Sequence, residues 1–223
     1  MSLRILPFRQ YSDHDVVNLY ALTDADVLTS TTGTGGGDAG VFVKVSEGNF
    51  DNDPITYQAN DYLGDSSFPF LGNTTMYPEV NLKVTPATSS GGCLGVTLLQ
   101  TAKNDENGEK LLYNPQKQTE LQAMLPGQAV PVLSKGIITL SAAAIDGSPD
   151  EDGSNSWVGI GSGIKISDNE GKVTGCARDD DWSIGSIIGT GHRNNSDHRA
   201  LTNGQFSGEY AVVQLNCDHW LVV

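Results

Sequence analysis

The side chains best suited to chemistry gather near the C-terminal end of the sequence. His192, His198 and His219 stand close to Asp197 and Asp218, with Arg193 and Arg199 interleaved. Histidine and aspartate together can ligate a metal or work as an acid–base pair. Here the histidine separations, six residues and then 21, match no metal-ligand spacing. A Gly-x-Ser-x-Gly nucleophile elbow is not formed either, because Gly161-Ser162-Gly163 lacks glycines at the outer offsets. The run Gly191-His192-Arg193-Asn194-Asn195-Ser196-Asp197-His198-Arg199 reads instead as a polar surface loop. It is the clearest local basic spot on the chain, suited to contact with an acidic protein surface.

Other chemical candidates fall away on similar grounds. Asp179-Asp180-Asp181 offers oxygens of the kind calcium or magnesium takes. Adjacent residues on an extended chain point to alternate sides, so the cluster reads as a solvated turn. Gly33-Thr34-Gly35-Gly36-Gly37 is glycine-rich, but no Lys-Ser/Thr pair follows to complete a phosphate loop. Cys93, Cys176 and Cys217 are far apart and odd in number, without the paired spacing of a structural zinc site. They read as three small buried residues in a reducing compartment. The expectation is a protein that is not an enzyme and holds no metal or cofactor.

Composition narrows the class. The 223 residues include 13 basic and 27 acidic side chains, a formal charge of −14. A chain with a pI near 4.4 presents no broad cationic field to phosphates, which argues against direct nucleic-acid binding. No apolar run approaches the roughly 18 residues of a membrane helix. The opening Met-Ser-Leu-Arg-Ile-Leu-Pro is broken too soon by Pro7 to resemble a signal peptide. The expected setting is a cytoplasm, with no membrane partner. Glycine numbers 26, and 19 Asp outweigh 8 Glu. Helix faces favour Glu and Lys while turns favour Asp, Asn, Gly and Ser, so the fold expected is all-β.

Short strand-like strings recur along the chain, many of them spaced by turn residues at roughly 8–12-residue intervals, as in a small barrel or sandwich. They include Val41-Phe42-Val43-Lys44-Val45, Val80-Asn81-Leu82-Lys83-Val84, Gly95-Val96-Thr97-Leu98-Leu99, Val130-Pro131-Val132-Leu133, Gly136-Ile137-Ile138-Thr139-Leu140, Gly163-Ile164-Lys165-Ile166 and Tyr210-Ala211-Val212-Val213-Gln214-Leu215. The one helix expected spans residues 114–125, with Asn114 as cap, Pro115 at the first helical position and Pro126-Gly127 as stop. Residues 1–26 read as an extended N-terminal arm, 27–125 as a β-rich region and 126–223 as a small β-barrel, with a change of module near 126. Residues 29–40 have almost nothing to bury, and a neighbouring protein is expected to hold them.

The second half resembles a known family. The strings Pro126-Gly127-Gln128-Ala129-Val130-Pro131-Val132-Leu133-Ser134-Lys135-Gly136-Ile137-Ile138, Gly159-Ile160-Gly161-Ser162-Gly163, Ile184-Gly185-Ser186-Ile187-Ile188-Gly189 and Tyr210-Ala211-Val212-Val213-Gln214-Leu215 are similar to the β-barrel core of tailed-bacteriophage capsid decoration (cement) proteins. The likeness spans roughly residues 126–215, and the acidic insertion at 146–154 departs from the short turn of that family. It implies a virion protein on the capsid exterior, often trimeric, that clamps neighbouring major capsid subunits against internal pressure. Under it, Leu3, Arg4, Ile5, Leu6, Phe8 and Arg9 are the arm's contacts, able to augment a neighbour's sheet edge and pair with acidic groups. His192, Arg193, His198 and Arg199 form a second contact. The same arm can equally pack on its own domain. A competing class is a carbohydrate- or receptor-binding module of a phage tail or fibre, resting on the aromatic and turn-rich residues 49–80.

Overall fold

A computed structural model describes residues 4–22, 37–49, 82–89, 92–102, 104–105, 107–125, 128–146, 160–177, 183–192 and 209–217. These residues are mostly β, as the composition predicts, in three sheets with one short α-helix among them. The strands in chain order are β1 (Ile5–Gln10), β2 (Val16–Val17), β3 (Ala21–Leu22), β4 (Phe42–Asn49), β5 (Leu82–Pro86), β6 (Gly95–Thr97) and β7 (Gln100–Thr101). There follow β8 (Ala123–Met124), β9 (Val132–Leu133), β10 (Lys135–Ser141), β11 (Gly163–Ile166), β12 (Val173–Cys176), β13 (Gly185–His192) and β14 (Glu209–Asn216).

One sheet runs β2-β9-β6-β4-β5-β3 and closes into a small barrel. Its two end strands are successive pieces of one segment, residues 16–22. That segment runs antiparallel to residues 129–133 through Val16↔Leu133, Val17↔Val132 and Ala21↔Ala129. On its other side Ala21 and Leu22 pair in parallel with Lys83 and Val84. Closure removes the free edges a five-stranded sheet would otherwise expose. Period-two alternation fills the interior with Leu22, Val41, Val43, Val84, Val130 and Val132, while Phe42, Val96 and Leu133 point outwards. The interior is therefore a packed core.

The second sheet runs β1-β10-β14-β13-β11-β12. Its inward row is carried by Ile138 opposite Val213 and Val213 opposite Ile187, with Ile164 and Ile166 further along. The chain leaving β10 through the 3-10 turn Ala142–Ala144 returns to the far edge, where Ile145 bridges Val173 and the Asp146 N–H donates to the Val173 carbonyl at 2.7 Å. This sheet thus curls most of the way round its own core. Phe42, Ala87, Cys93, Val96, Leu98 and Leu133 from the barrel's outer side complete that core.

The two sheets are joined at Ser134, a single residue between β9 and β10. Its N–H and its hydroxyl both donate to the Asp15 carbonyl at 3.0 Å. Each of the three segments expected as separate regions contributes strands and core residues, so one hydrophobic core spans the position where a module change was expected. Gly95 sets the barrel's tightest contact, since a Cβ there would lie 2.2 Å from the Leu133 carbonyl oxygen. Gly95→Ala is expected to destabilise the fold by about 3 kcal/mol through that overlap. An unchanged urea unfolding midpoint would rule this out.

The helix is shorter than its sequence suggests. It spans Pro115–Glu120 (α1), capped by the Asn114 side chain, which accepts from the Lys117 N–H at 3.2 Å. Gln122 then adopts φ +50, and Ala123 and Met124 enter β8, in parallel with Gln100 and Thr101. Side-chain amides serve the helix end: Gln100 Nε2 donates to the Leu121 carbonyl at 2.5 Å and Gln118 Nε2 to that of Ala123 at 3.1 Å. These capture the carbonyls a longer helix would have used. Ala102, Leu111, Ala123 and Leu125 bury a small satellite core beneath it.

Candidate interaction surface

Strand β1 divides into an anchored half and an outward half. Arg4, just before it, is 2% exposed and forms an ion pair with Asp38, Nε to Oδ2 at 3.7 Å. Its Nη1 donates to the Gly171 carbonyl at 3.3 Å. Burial pushes the guanidinium's pKa down, and the Asp38 carboxylate opposes that shift. Ile5 and Leu6 are buried beside it, Ile5 in the main core. Gly40, at φ +87, presses on this stretch: a Cβ there would come within 2.8 Å of Arg4 Cβ.

The end of the glycine-rich segment, expected to need a neighbouring protein, is held by this chain itself. The Thr101 N–H donates to the Gly37 carbonyl at 2.7 Å, the Thr97 hydroxyl to that of Asp38 at 3.2 Å, and the Gly40 N–H to the Thr97 carbonyl at 2.7 Å. Residues 23–36 lie outside the described residues.

Beyond Leu6 the register with β10 slips, from Leu6↔Thr139 to Arg9↔Ile138, so Pro7 and Phe8 form a bulge. The Thr139 hydroxyl donates to the Phe8 carbonyl at 2.9 Å and holds the bulge in place. Pro7, Phe8, Arg9 and Gln10 are all exposed, Phe8 to 72%. β1 is an end strand of its sheet, with β10 on one side only. Proline without an N–H, a bulge and an arginine are the devices that discourage indiscriminate edge pairing. What they leave projecting is a fixed aromatic–arginine pair.

A second bulge lies on the same cross-strand row. Thr139 pairs with Val212, which pairs with Gly189, and Ile188 is extruded between Ile187 and Gly189 at 43% exposure. Ile188 is not among the contacts expected from the sequence, although two adjacent isoleucines in a strand otherwise flanked by glycine and serine mark a place where alternation breaks.

Of the expected contact residues, Arg4, Ile5 and Leu6 are therefore inside this chain's own fold, and Phe8 and Arg9 are outside. Leu3, Arg193, His198 and Arg199 lie outside the described residues, as do the side chain of His192, Asp179, Asp180, Asp181, His219 and residues 50–80. The His192 backbone pairs with Glu209 at the end of the sheet nearest Arg4, away from the Phe8 bulge. Among the described residues no group of three or more His, Cys, Asp or Glu side chains is placed to hold a metal ion, and no helix is long and apolar enough to cross a membrane. The described residues carry 9 basic and 11 acidic side chains, a net of −2, so −12 of the total −14 belongs to the segments outside them.

The fold and surface define a mainly-β protein with a partly closed second sheet and a projecting edge bulge. Comparison of the chain with protein-family models, curated proteins and solved structures finds no match in any of the three.

Proposed function

We propose that this chain is a non-enzymatic structural virion protein that binds the outer surface of a bacteriophage head and clamps neighbouring major capsid subunits, acting as a homo-trimer. The observation that carries the reading is the β1 bulge, where Phe8 is 72% exposed on a strand whose other half is locked by Arg4, Ile5 and Leu6. Aromatic and arginine side chains are the commonest anchors of protein interfaces. An anchor already fixed by a sheet loses little conformational freedom on binding, so more of its contact energy appears as affinity. Three copies in a trimer would multiply a modest single contact through effective concentration. The resemblance of residues 126–215 to decoration proteins, read from the sequence, is the reason for proposing a capsid as the partner.

The test is co-sedimentation of the purified chain with expanded, empty bacteriophage heads, together with its mass in solution. Wild type is expected to bind saturably. Phe8→Ser should lose binding at least tenfold while its melting temperature stays put. The bulge is held through the Phe8 carbonyl rather than its ring, and surface substitutions of this kind usually change stability by less than about 0.5 kcal/mol. Wild type that fails to bind heads would sink the proposal.

A further inference from the structure

The junction between the two sheets brings two cysteines together. Cys93 stands two residues before Gly95, where an added Cβ would lie 2.2 Å from the Leu133 carbonyl oxygen. Cys217 follows β14, and its N–H donates to the carbonyl of Ser134, the next residue along, at 3.0 Å. Both are 3% exposed and sit in the same core. Cys93 Sγ reaches the Gly95 carbonyl at 3.7 Å, and Cys217 is the neighbouring group that most raises the Cys93 pKa. One sulfur belongs to the barrel and the other to the curled sheet. None of the three cysteines is in a disulfide in this structure.

We propose that Cys93 and Cys217 form an oxidative modification site at which a peroxide converts the thiol pair into a disulfide that staples the barrel to the second sheet. The chemistry balances without any further reactant. Peroxide oxidises one thiol to a sulfenic acid and releases a water. The second sulfur then attacks that sulfenic sulfur, a second water leaves, and the S–S bond forms. Cys93 is held mostly as the thiol, because the neighbouring Cys217, and then burial, push its pKa well above the ordinary value. Thiolate is the reacting species, so Cys93 resists casual oxidation and reacts slowly. Cys176, half-buried on β12, provides an internal reference: a Cβ on Gly163 would meet its sulfur at 2.9 Å, which places it in the β11–β12 hairpin.

The test uses the native full-length chain, treated with hydrogen peroxide, blocked with iodoacetamide under denaturing conditions and peptide-mapped. The expected result is a peptide linking Cys93 to Cys217 and an intact mass lower by about 2 Da for that pair. Closing so long a loop should raise the melting temperature by about 10 °C, reversed by dithiothreitol. Cys176→Ser should give the same linked peptide. Recovery of Cys93 and Cys217 as separate alkylated or over-oxidised residues, or a link that uses Cys176, would overturn the proposal.

Discussion

Arg4→Ala is expected to lower the melting temperature by about 10 °C, corresponding to a loss of about 3–5 kcal/mol for a buried pair broken on one side. The side chain is 2% exposed and ties three remote parts of the chain together: β1, the Asp38 loop that leads into the barrel, and Gly171 in the β11–β12 turn. Removing it leaves Asp38, itself 5% exposed, as a charge within the protein facing the emptied space. The cost is that stranded carboxylate more than the lost attraction, since burying both charges was expensive in the first place. Arg4→Met combined with Asp38→Leu should therefore recover at least half of the loss. Thermal melts of the two single variants and the double variant check this. A single variant within about 1 kcal/mol of wild type would show that the pair does not anchor β1.

Phe42→Ala should cost about 3–5 kcal/mol, the range for deleting a buried aromatic ring. Phe42 has no exposed surface and points from the barrel wall into the core that the second sheet encloses. Its main chain cannot move to fill the gap. The Phe42 N–H donates to the Gly171 carbonyl at 3.2 Å, and its own carbonyl accepts from Ala87 at 2.8 Å. Because one core serves both sheets, the loss should fall on both together. Near-ultraviolet and far-ultraviolet circular dichroism should then report one coincident transition, shifted to lower denaturant. Two separated transitions, with only one of them moved, would mean the sheets fold independently, and the shared core would carry little energy.

This shared core also bears on the proposed role. A clamp has to transmit load between its contact and the rest of the molecule. The Phe8 bulge sits on β1, which pairs with β10, which pairs with β14 at the centre of the sheet. A pull on Phe8 is resisted by the Thr139 hydroxyl, the β1–β10 ladder and the Arg4 ion pair in parallel.

Much of the secondary structure was legible from residue order. Gly136-Ile137-Ile138-Thr139-Leu140 and Tyr210-Ala211-Val212-Val213-Gln214-Leu215 became β10 and β14 because a β-branched, apolar run between turn residues has few other ways to bury itself. Asn114-Pro115 marked the helix start because a cap and a fixed φ act within a single turn. The helix end was misplaced by several residues, since Gln122 leaves the helical conformation only where Gln100, 22 positions away, takes the Leu121 carbonyl. The barrel closure left no trace in the string either. Val16, Val17, Leu19, Tyr20 and Leu22 fit neither period cleanly, which leaves a short strand or an irregular docking segment open. Val16–Val17 and Ala21–Leu22 are strands because residues 129–133 and 82–86 flank them on both sides.

The candidate surface divides along the same line. The sequence by itself marked residues 3–9 as apolar and arginine-bearing and the chain as acidic, β-rich and turn-rich, because composition and period-two alternation are properties of neighbours in the chain. Long-range packing is what turns Ile5 and Leu6 inward and Phe8 outward, buries Arg4, and sets Cys93 and Cys217 in the same core. Each of those outcomes depends on a partner far away in sequence: Thr139 for the bulge, Asp38 and Gly171 for the arginine, and the β9–β10 junction for the thiols. Burial is settled by what arrives opposite a residue, and that information lies in long-range pairing, where no local pattern records it.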